Sequence, residues 1–302
     1  MNFDRILILG AGAIGSVCGA FLSRSCDVTL IGNEAHVDAV NSKGLSISGD
    51  TYGTFHLKAD TEIREIPEKT LIILTTKAYD SAKAMEKISR LLRKDTVVLV
   101  LQNGFGNEEI VRRIVGSKVK VFRGITTMAA EFFKPGEIRF WNGETIIEQD
   151  PVAREIAGTL NAAMLKTSLS NDIDTEIWSK VVINCVINAL TAVFRVRTRE
   201  IVADSLAHVR HELVRECVAV GKAEGIRVPK DLEEEIDIEI SNYTNFSSMC
   251  QDVMKGSRTE IDFLNGKIVE LGRKNHVPTP VNETLVCLIK FLEEKNELPR
   301  ED

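Results

Sequence analysis

A chain of 302 residues can bury a substantial core, and that length favours two domains over one. With 44% hydrophobic and 27% charged residues it reads as a soluble globular protein, with no apolar stretch expected to span a bilayer. A net charge of −6 excludes a general affinity for nucleic acid, which needs clustered Lys and Arg, so a short basic spot such as Arg112-Arg113 reads as a solvated helix face.

Asp4 and Arg5 precede the first apolar run without a basic leader or small-residue cleavage site, which makes a cytoplasmic location the expectation. Residues 3–9 are predicted as a buried parallel strand, followed by a glycine turn, a helix to about residue 24 and a second strand over 27–31. This βαβ unit has the size of a mononucleotide-binding half. Residues 43–59 alternate around Gly49-Asp50 and Gly53, predicting a hairpin excursion.

The rhythm continues with a strand over 70–76, a helix over 80–92, a strand over 95–102, a helix over 107–114 and a strand over 118–128. Alternation of this kind predicts a mainly parallel sheet covered on both faces. Pro135-Gly136 and Asn142-Gly143 divide residues 132–149 into antiparallel strands expected to be appended to that sheet. A last helix and strand end near Ser170, and residues 172–295 show only helical patterns, interrupted at 225–229 and 275–280.

The fold class expected is therefore α/β, an N-terminal Rossmann-type doubly wound sheet followed by an all-helical C-terminal domain. The domains would be 1–170, binding dinucleotide, and 171–302, carrying substrate and catalysis. The acidic run 231–240 reads as the exposed face of a helix. Cys18, Cys26, Cys185, Cys217, Cys250 and Cys287 are scattered without a Cys-x-x-Cys pair, as reduced packing residues would be.

Gly10-Ala11-Gly12-Ala13-Ile14-Gly15 fits Gly-x-Gly-x-x-Gly, and it lies between a buried strand and a helix. The first glycine permits a tight turn, the second lets a pyrophosphate approach backbone N–H groups, and the third lets helix and strand pack closely. Strand, loop, helix and second strand in register make the motif far more specific than the glycines alone. At the end of the second strand an Asp or Glu would bond the ribose of NAD, and an Arg would pair with the extra phosphate of NADP; Asn33 does neither. Glu34 is a candidate for the ribose and Lys77 for a 2′-phosphate, with NADP(H) the preferred expectation.

Residues 172–194 form a helix apolar on almost every face, which implies burial. Lys180, Asn184 and Asn188 nevertheless recur at spacing four and make one polar stripe. A buried ammonium needs an anion or a chemical task. Lys180 either snorkels to a surface or, beside a nicotinamide, serves as a proton donor; the aligned asparagines and the upstream glycine loop favour the second. Over 245–272, Ser247 or Ser248 can cap a helix whose core face holds Met249, Val253, Ile261, Leu264, Ile268 and Leu271, with Glu260 about three turns on.

The segments GAGAIGS, TTKAYD, QNGFGNEE, WSKVVINCVINALTA and SSMCQDVMKGSRTEIDFLNG together resemble the ketopantoate reductase (2-dehydropantoate 2-reductase) family over nearly the whole chain. The resemblance implies a Rossmann domain joined to a helical domain, an active site in the cleft between them, and NADPH-dependent reduction of 2-dehydropantoate to D-pantoate in pantothenate synthesis. By the same resemblance, Lys180 is the general acid that protonates the C2 carbonyl oxygen, and Glu260 anchors substrate, influences the lysine's protonation and counts among the cofactor-binding residues. Asn184, Asn188 and Ser248 bind the substrate's hydroxyl and carboxylate, and Asn103 lies near nicotinamide and substrate. Asn33 departs from the pattern where many relatives carry arginine, which leaves NAD(H) open beside NADP(H).

Two alternatives stand: another branched 2-oxo acid as substrate, or a non-catalytic dinucleotide sensor. The partner expected is a small molecule, with neither nucleic acid nor membrane, and the long helices allow a homodimer. His208, His211 and Glu212 lack the ligand spacing of a metal site and read as a solvated face.

Overall fold

The structure, a computed structural model, describes residues 3–229 and 232–297, and the chain divides into two compact units. The first comprises residues up to 102 together with 106–173. The second takes residues from 174 onward together with Asn103–Phe105, three residues lifted out of the earlier chain.

In the first unit β1 (Arg5–Leu9), α1 (Ala13–Leu22) and β2 (Val28–Ile31) form the expected opening unit. An unexpected helix follows, α2 (Glu34–Lys43), and then β3 (Leu45–Gly49), β4 (Gly53–Phe55) and β5 (Lys58–Asp60). Next come β6 (Thr70–Leu74), α3 (Ser81–Ile88), β7 (Val97–Val100), α4 (Asn107–Val115), β8 (Lys120–Thr126), β9 (Ala129–Lys134), β10 (Glu137–Trp141), β11 (Thr145–Glu148), α5 (Pro151–Ala162) and β12 (Thr167–Ser170).

Among the described residues eight strands form one sheet in the order β12-β11-β8-β7-β6-β1-β2-β5. It is parallel except where β11 meets β8. Period-two alternation sends Ile6, Ile8, Leu71, Ile73 and Leu99 to the face that meets Val17 and Phe21 of α1. Leu7, Leu9, Ile72, Leu74, Val98 and Val100 meet Met85 and Ile88 of α3 and Val111 and Val115 of α4 on the other. With both faces covered every position of β6 and β7 and all of β1 but Arg5 are buried, which explains why these strands read as unbroken apolar runs. Each such side chain contributes about 1.5–3 kcal/mol of transfer free energy.

The β9–β10 hairpin is not appended to that sheet, contrary to expectation. It joins the early hairpin in a separate four-stranded sheet, β4-β3-β10-β9, in which β10 runs parallel to β3. The junction is close: a Cβ on Gly49, whose φ is +108°, would lie 2.1 Å from the Phe140 carbonyl oxygen. Side chains of this second sheet, Ile47, Ile138 and Phe140, share the core of α1. The Phe21 and Phe140 rings meet edge-on at 5.5 Å. A sheet on each side of α1 accounts for burial of every residue from Gly15 to Leu22.

The second unit is helical: α6 (Ile173–Phe194), α7 (Ala207–Ala223), α8 (Leu232–Ser241), α9 (Ser248–Met254), α10 (Asn265–Lys274) and α11 (Pro280–Glu297), with no strand among its described residues. By length and composition α6 could cross a membrane, which the composition-based expectation missed. However, 67% of its apolar window is buried within the fold, as in a core helix. Trp178 on α6 donates its indole N–H to the Cys217 carbonyl at 3.2 Å, and Gly221 leaves room for the ring.

Two polar anchors hold the outer helices. Arg210, fully buried, forks onto both Asp237 oxygens (2.7 and 2.8 Å) and donates to the Ile201 and Ala203 carbonyls. The Glu216 carboxylate accepts from Val281 N–H, Asn282 N–H and the Asn282 amide at 2.7–2.9 Å, capping the start of α11. The acidic run is therefore not wholly a solvated face, since Asp237 is engaged. Asp231 and the side chains of Glu233, Glu234, Glu235 and Glu239 lie outside the described residues.

Candidate active site

The glycine loop keeps the geometry its sequence requires. A Cβ on Gly10 (φ +119°) would lie 2.4 Å from Thr76 N, and one on Gly15 would lie 2.0 Å from the Gly10 carbonyl oxygen. At Gly12, the N-cap of α1, a Cβ would meet nothing within 4 Å. The first and third glycines are thus fixed by packing and the middle one by open space beside unpaired helix N–H groups, a cradle that fits a pyrophosphate. Ala11 is buried and Ala13 and Ile14 are half-buried, so this stretch offers backbone rather than side chains.

Residues absent from the sequence-based candidates hold this loop. Thr75 donates its hydroxyl to the Gly10 carbonyl at 2.8 Å. The Gln102 amide nitrogen reaches the Thr76 carbonyl (2.7 Å), the Lys77 carbonyl (3.3 Å) and Ser81 Oγ (2.7 Å), pinning the chain after β6. Only the polarity of Thr75 and Gln102 at the ends of apolar strands marked them in sequence. Lys77 caps a single 3₁₀ turn there and is half-buried. Asn33 is the N-cap of α2, its Oδ1 accepting from His36 N–H at 3.0 Å.

In the second unit, Lys180 Nζ donates to Asn103 Oδ1 at 3.2 Å. Asn103 is delivered there by its neighbours. Gly104 (φ +85°) packs so closely on Phe263 that a Cβ would lie 2.5 Å from its carbonyl oxygen, Phe105 N–H bonds that same oxygen at 3.2 Å, and the Phe105 ring meets Trp178 at 4.8 Å. Glu260 directly precedes the short 3₁₀ turn Ile261–Phe263 on which these residues are clipped. It is buried, at 6% exposure, rather than solvated. It does not continue the serine-capped helix, because α9 ends at Met254 and Gly256 (φ +67°) turns the chain before α10.

Lys180, Asn103 and Glu260 are therefore brought together. Burial pulls the Lys180 ammonium down from its ordinary value to about 8, opposed by the attraction of the Glu260 carboxylate. The side chain as a whole is only half-buried. Its amine can thus hold a proton at neutral pH and release it at modest cost, the property a general acid needs.

Asn184 and Asn188 follow on the same face of α6, about 6 and 12 Å along its axis. Asn188 is 4% exposed, and among the described residues neither amide has a side-chain hydrogen bond within the protein. Asn184 is half-buried, and amides not committed to a partner within the protein are available to a polar ligand. Ser247, not Ser248, is the cap of α9, bonding Cys250 N–H at 3.1 Å and Thr191 Oγ1 at 2.7 Å. That last contact ties the start of α9 to the Asn188 end of α6 and leaves Ser248 as the half-buried first helical residue. His211 instead lies 3.6 Å from Asp237, and no group of three or more metal-ligating side chains occurs among the described residues.

Comparison with known proteins gives a consistent picture. Residues 6–151 match the family model described as ketopantoate reductase PanE/ApbA, and residues 172–293 match ketopantoate reductase PanE/ApbA C terminal. The 2-dehydropantoate 2-reductase of Pyrococcus horikoshii is 38% identical over 299 residues, 96% of this chain and 97% of its own. Among solved structures, a PanE/ApbA family ketopantoate reductase from Ralstonia eutropha superposes with a TM-score of 0.90 at 29% identity, covering 97% of this chain and all of that one. A D-mandelate dehydrogenase in ternary complex with NADH and anilino(oxo)acetate gives the same TM-score at 28% identity and the same coverage.

Proposed function

The chain belongs to the ketopantoate reductase family and is an oxidoreductase of that type, and we propose that it reduces 2-dehydropantoate to D-pantoate in pantothenate synthesis. When bound, a reduced nicotinamide dinucleotide supplies the hydride; Gly10, Ala11, Gly12, Ala13, Ile14 and Gly15 are the residues that would hold its phosphates. The choice between NADPH and NADH falls to Asn33 and Glu34 after β2 and to Lys77 after β6, the candidate contact for a 2′-phosphate.

Lys180 holds the proton that passes to the C2 carbonyl oxygen, and its charge stabilises the alkoxide developing there. Asn103 fixes the direction of that amine, and Glu260 keeps it protonated under working conditions. Asn184, Asn188 and Ser248 present amide and hydroxyl groups to the carboxylate and hydroxyl of the substrate. The observation that carries this reading is the desolvated Lys180 amine, bonded to Asn103 and facing the charge of a buried Glu260, on a largely apolar helix.

Purified protein mixed with 2-dehydropantoate and NADPH or NADH should oxidise the nucleotide, seen as loss of the reduced-nicotinamide absorbance. Lys180→Ala should abolish that turnover with nucleotide affinity nearly unchanged. Absence of turnover with either nucleotide would sink the proposal and, with nucleotide binding intact, would favour a non-catalytic sensor, and turnover undiminished in Lys180→Ala would remove the role of that lysine. A second reading, reduction of a different 2-oxo acid, is supported by the D-mandelate dehydrogenase whose TM-score of 0.90 equals that of the Ralstonia eutropha ketopantoate reductase. A panel including 2-oxoisovalerate and benzoylformate separates the two by kcat/KM.

A further inference from the structure

We infer that Asn265 is a positioning residue for the proton donor: it ties the turn that carries Glu260 and receives Asn103 onto α6, the helix that carries Lys180. The inference rests on the reading of Lys180 as general acid and adds the residue that sets the geometry around it.

Glu260 and Asn103 are both held by one short turn. The Glu260 carbonyl accepts from Phe263 N–H at 3.0 Å, and the Phe263 carbonyl accepts at 3.2 Å from the N–H of Phe105, two residues after Asn103. This turn is fastened to α11, where the Glu293 carboxylate accepts from Thr259 N–H and Lys290 Nζ bonds Asp262 Oδ2, each at 2.6 Å. It is fastened to α6 by Asn265, the first residue of α10. The Asn265 amide nitrogen donates to the Cys185 carbonyl at 3.0 Å and to Asn282 Oδ1 at 2.9 Å. Cys185 follows Asn184 directly and lies five residues beyond Lys180 on α6.

The direction of the Asn265 amide is imposed by its neighbours. The Glu216 carboxylate can only accept, so Asn282 turns its amide nitrogen to it, at 2.7 Å, and its oxygen to Asn265. Asn265 must answer with nitrogen, and the Cys185 carbonyl takes the second hydrogen. This arrangement has a cost, because Asn265 is fully buried and its Oδ1 has no hydrogen-bond partner within the protein. A leucine would fill the same space with no orphan oxygen. Retaining the amide therefore gives up stability for the two bonds its nitrogen makes.

Glu260 is the charge this turn brings to bear on Lys180, opposing the effect of burial on the amine. The neighbouring charges are engaged elsewhere or stand apart. Asp262 takes Lys290 at 2.6 Å and Arg258 at 3.8 Å, Glu293 takes Thr259 N–H, and Glu216 caps α11. Glu176 lies one turn before Lys180 on α6, and burial pushes the Cys185 thiol up, which keeps it neutral. Without Asn265 the turn is free to shift along α6, taking Glu260 and the Asn103 acceptor away from the amine together.

The test is the pH profile of kcat/KM for 2-dehydropantoate at saturating reduced nucleotide. It compares the wild type with Asn265→Leu, Asn265→Ala, Glu260→Gln and Arg210→Met, folding being checked by circular dichroism. Leucine keeps the volume without the donors, and alanine answers the question if leucine overpacks the site. The wild type should break at about 8. Both Asn265 variants should lower kcat about tenfold and move the break down by about half a pH unit or more, as Glu260→Gln does, with calorimetric nucleotide affinity unchanged. Arg210→Met loosens the anchor between α7 and α8 instead, so it should lower the thermal midpoint and leave the break in place. A break at the wild-type value in both Asn265 variants, or an equal shift in Arg210→Met, would overturn the inference. A wild type without turnover, or without a break near 8, would remove the Lys180 reading and the inference with it. A lowered break in Glu260→Gln alone would leave that reading standing and remove only the role of Asn265.

Discussion

Replacing Lys180 by methionine should make the protein more stable at neutral pH while removing its chemistry. Burial lowers the ammonium from 10.5 to about 8, so the folded protein binds this proton more weakly than the unfolded chain does. The charge therefore opposes folding fully below about pH 8. The penalty fades as pH rises towards 10.5, above which the amine is neutral in both states. The gap between the two values corresponds to about 3 kcal/mol as an upper bound. Partial exposure of the side chain reduces it, and loss of the bond to Asn103 removes about 1 kcal/mol more, leaving a net gain of roughly 1–2 kcal/mol. Urea unfolding followed by far-UV circular dichroism should show the Lys180→Met midpoint raised by about 0.5 M at pH 7, with the difference shrinking near pH 10.5. Equal or lower stability of the variant at pH 7, or a difference independent of pH, would refute the claim that this amine is desolvated.

Glu216→Ala would strand Val281 N–H, Asn282 N–H and the Asn282 amide, and a loss of about 2–3 kcal/mol is expected in the same unfolding assay. Arg210→Met keeps the buried stem but leaves the Ile201 and Ala203 carbonyls and Asp237 without their donor, which should cost about 3 kcal/mol and lower the thermal midpoint. Asn103→Ala removes the acceptor that orients the Lys180 amine and should lower kcat about tenfold with calorimetric nucleotide affinity unchanged.

Much of the fold was legible because its strongest signals are local. The strands around Ile6, Ile72 and Val98 read correctly because both their faces are covered, and the glycine loop read correctly because its three glycines each answer a different steric demand. The helix over Glu34–Lys43 was missed because its apolar residues, Val37 and Val40, are too few to make a stripe, and the contact that fixes His36 comes from Gly136, a hundred residues away. The second sheet was missed for the same reason: nothing local in residues 45–55 shows that Gly49 will meet Phe140.

At the site, the spacing of Lys180, Asn184 and Asn188 revealed a stripe because one helix carries all three. Glu260 was placed on a continuing helix because Gly256 was not read as a stop. Asn103 entered through family resemblance, and the clip formed by Gly104 and Phe105 on Phe263, which delivers it to Lys180, depends on contacts more than 150 residues apart in sequence.

The pH dependence of kcat/KM for 2-dehydropantoate reduction, at saturating reduced nucleotide, tests the role of Lys180 most directly. A proton donor whose amine titrates at about 8 predicts a plateau on the acid side and a tenfold fall per pH unit above that value. Because Glu260 raises the lysine's value, any activity left in Glu260→Gln should break at lower pH. A wild-type profile that stays level to pH 10 would contradict the account.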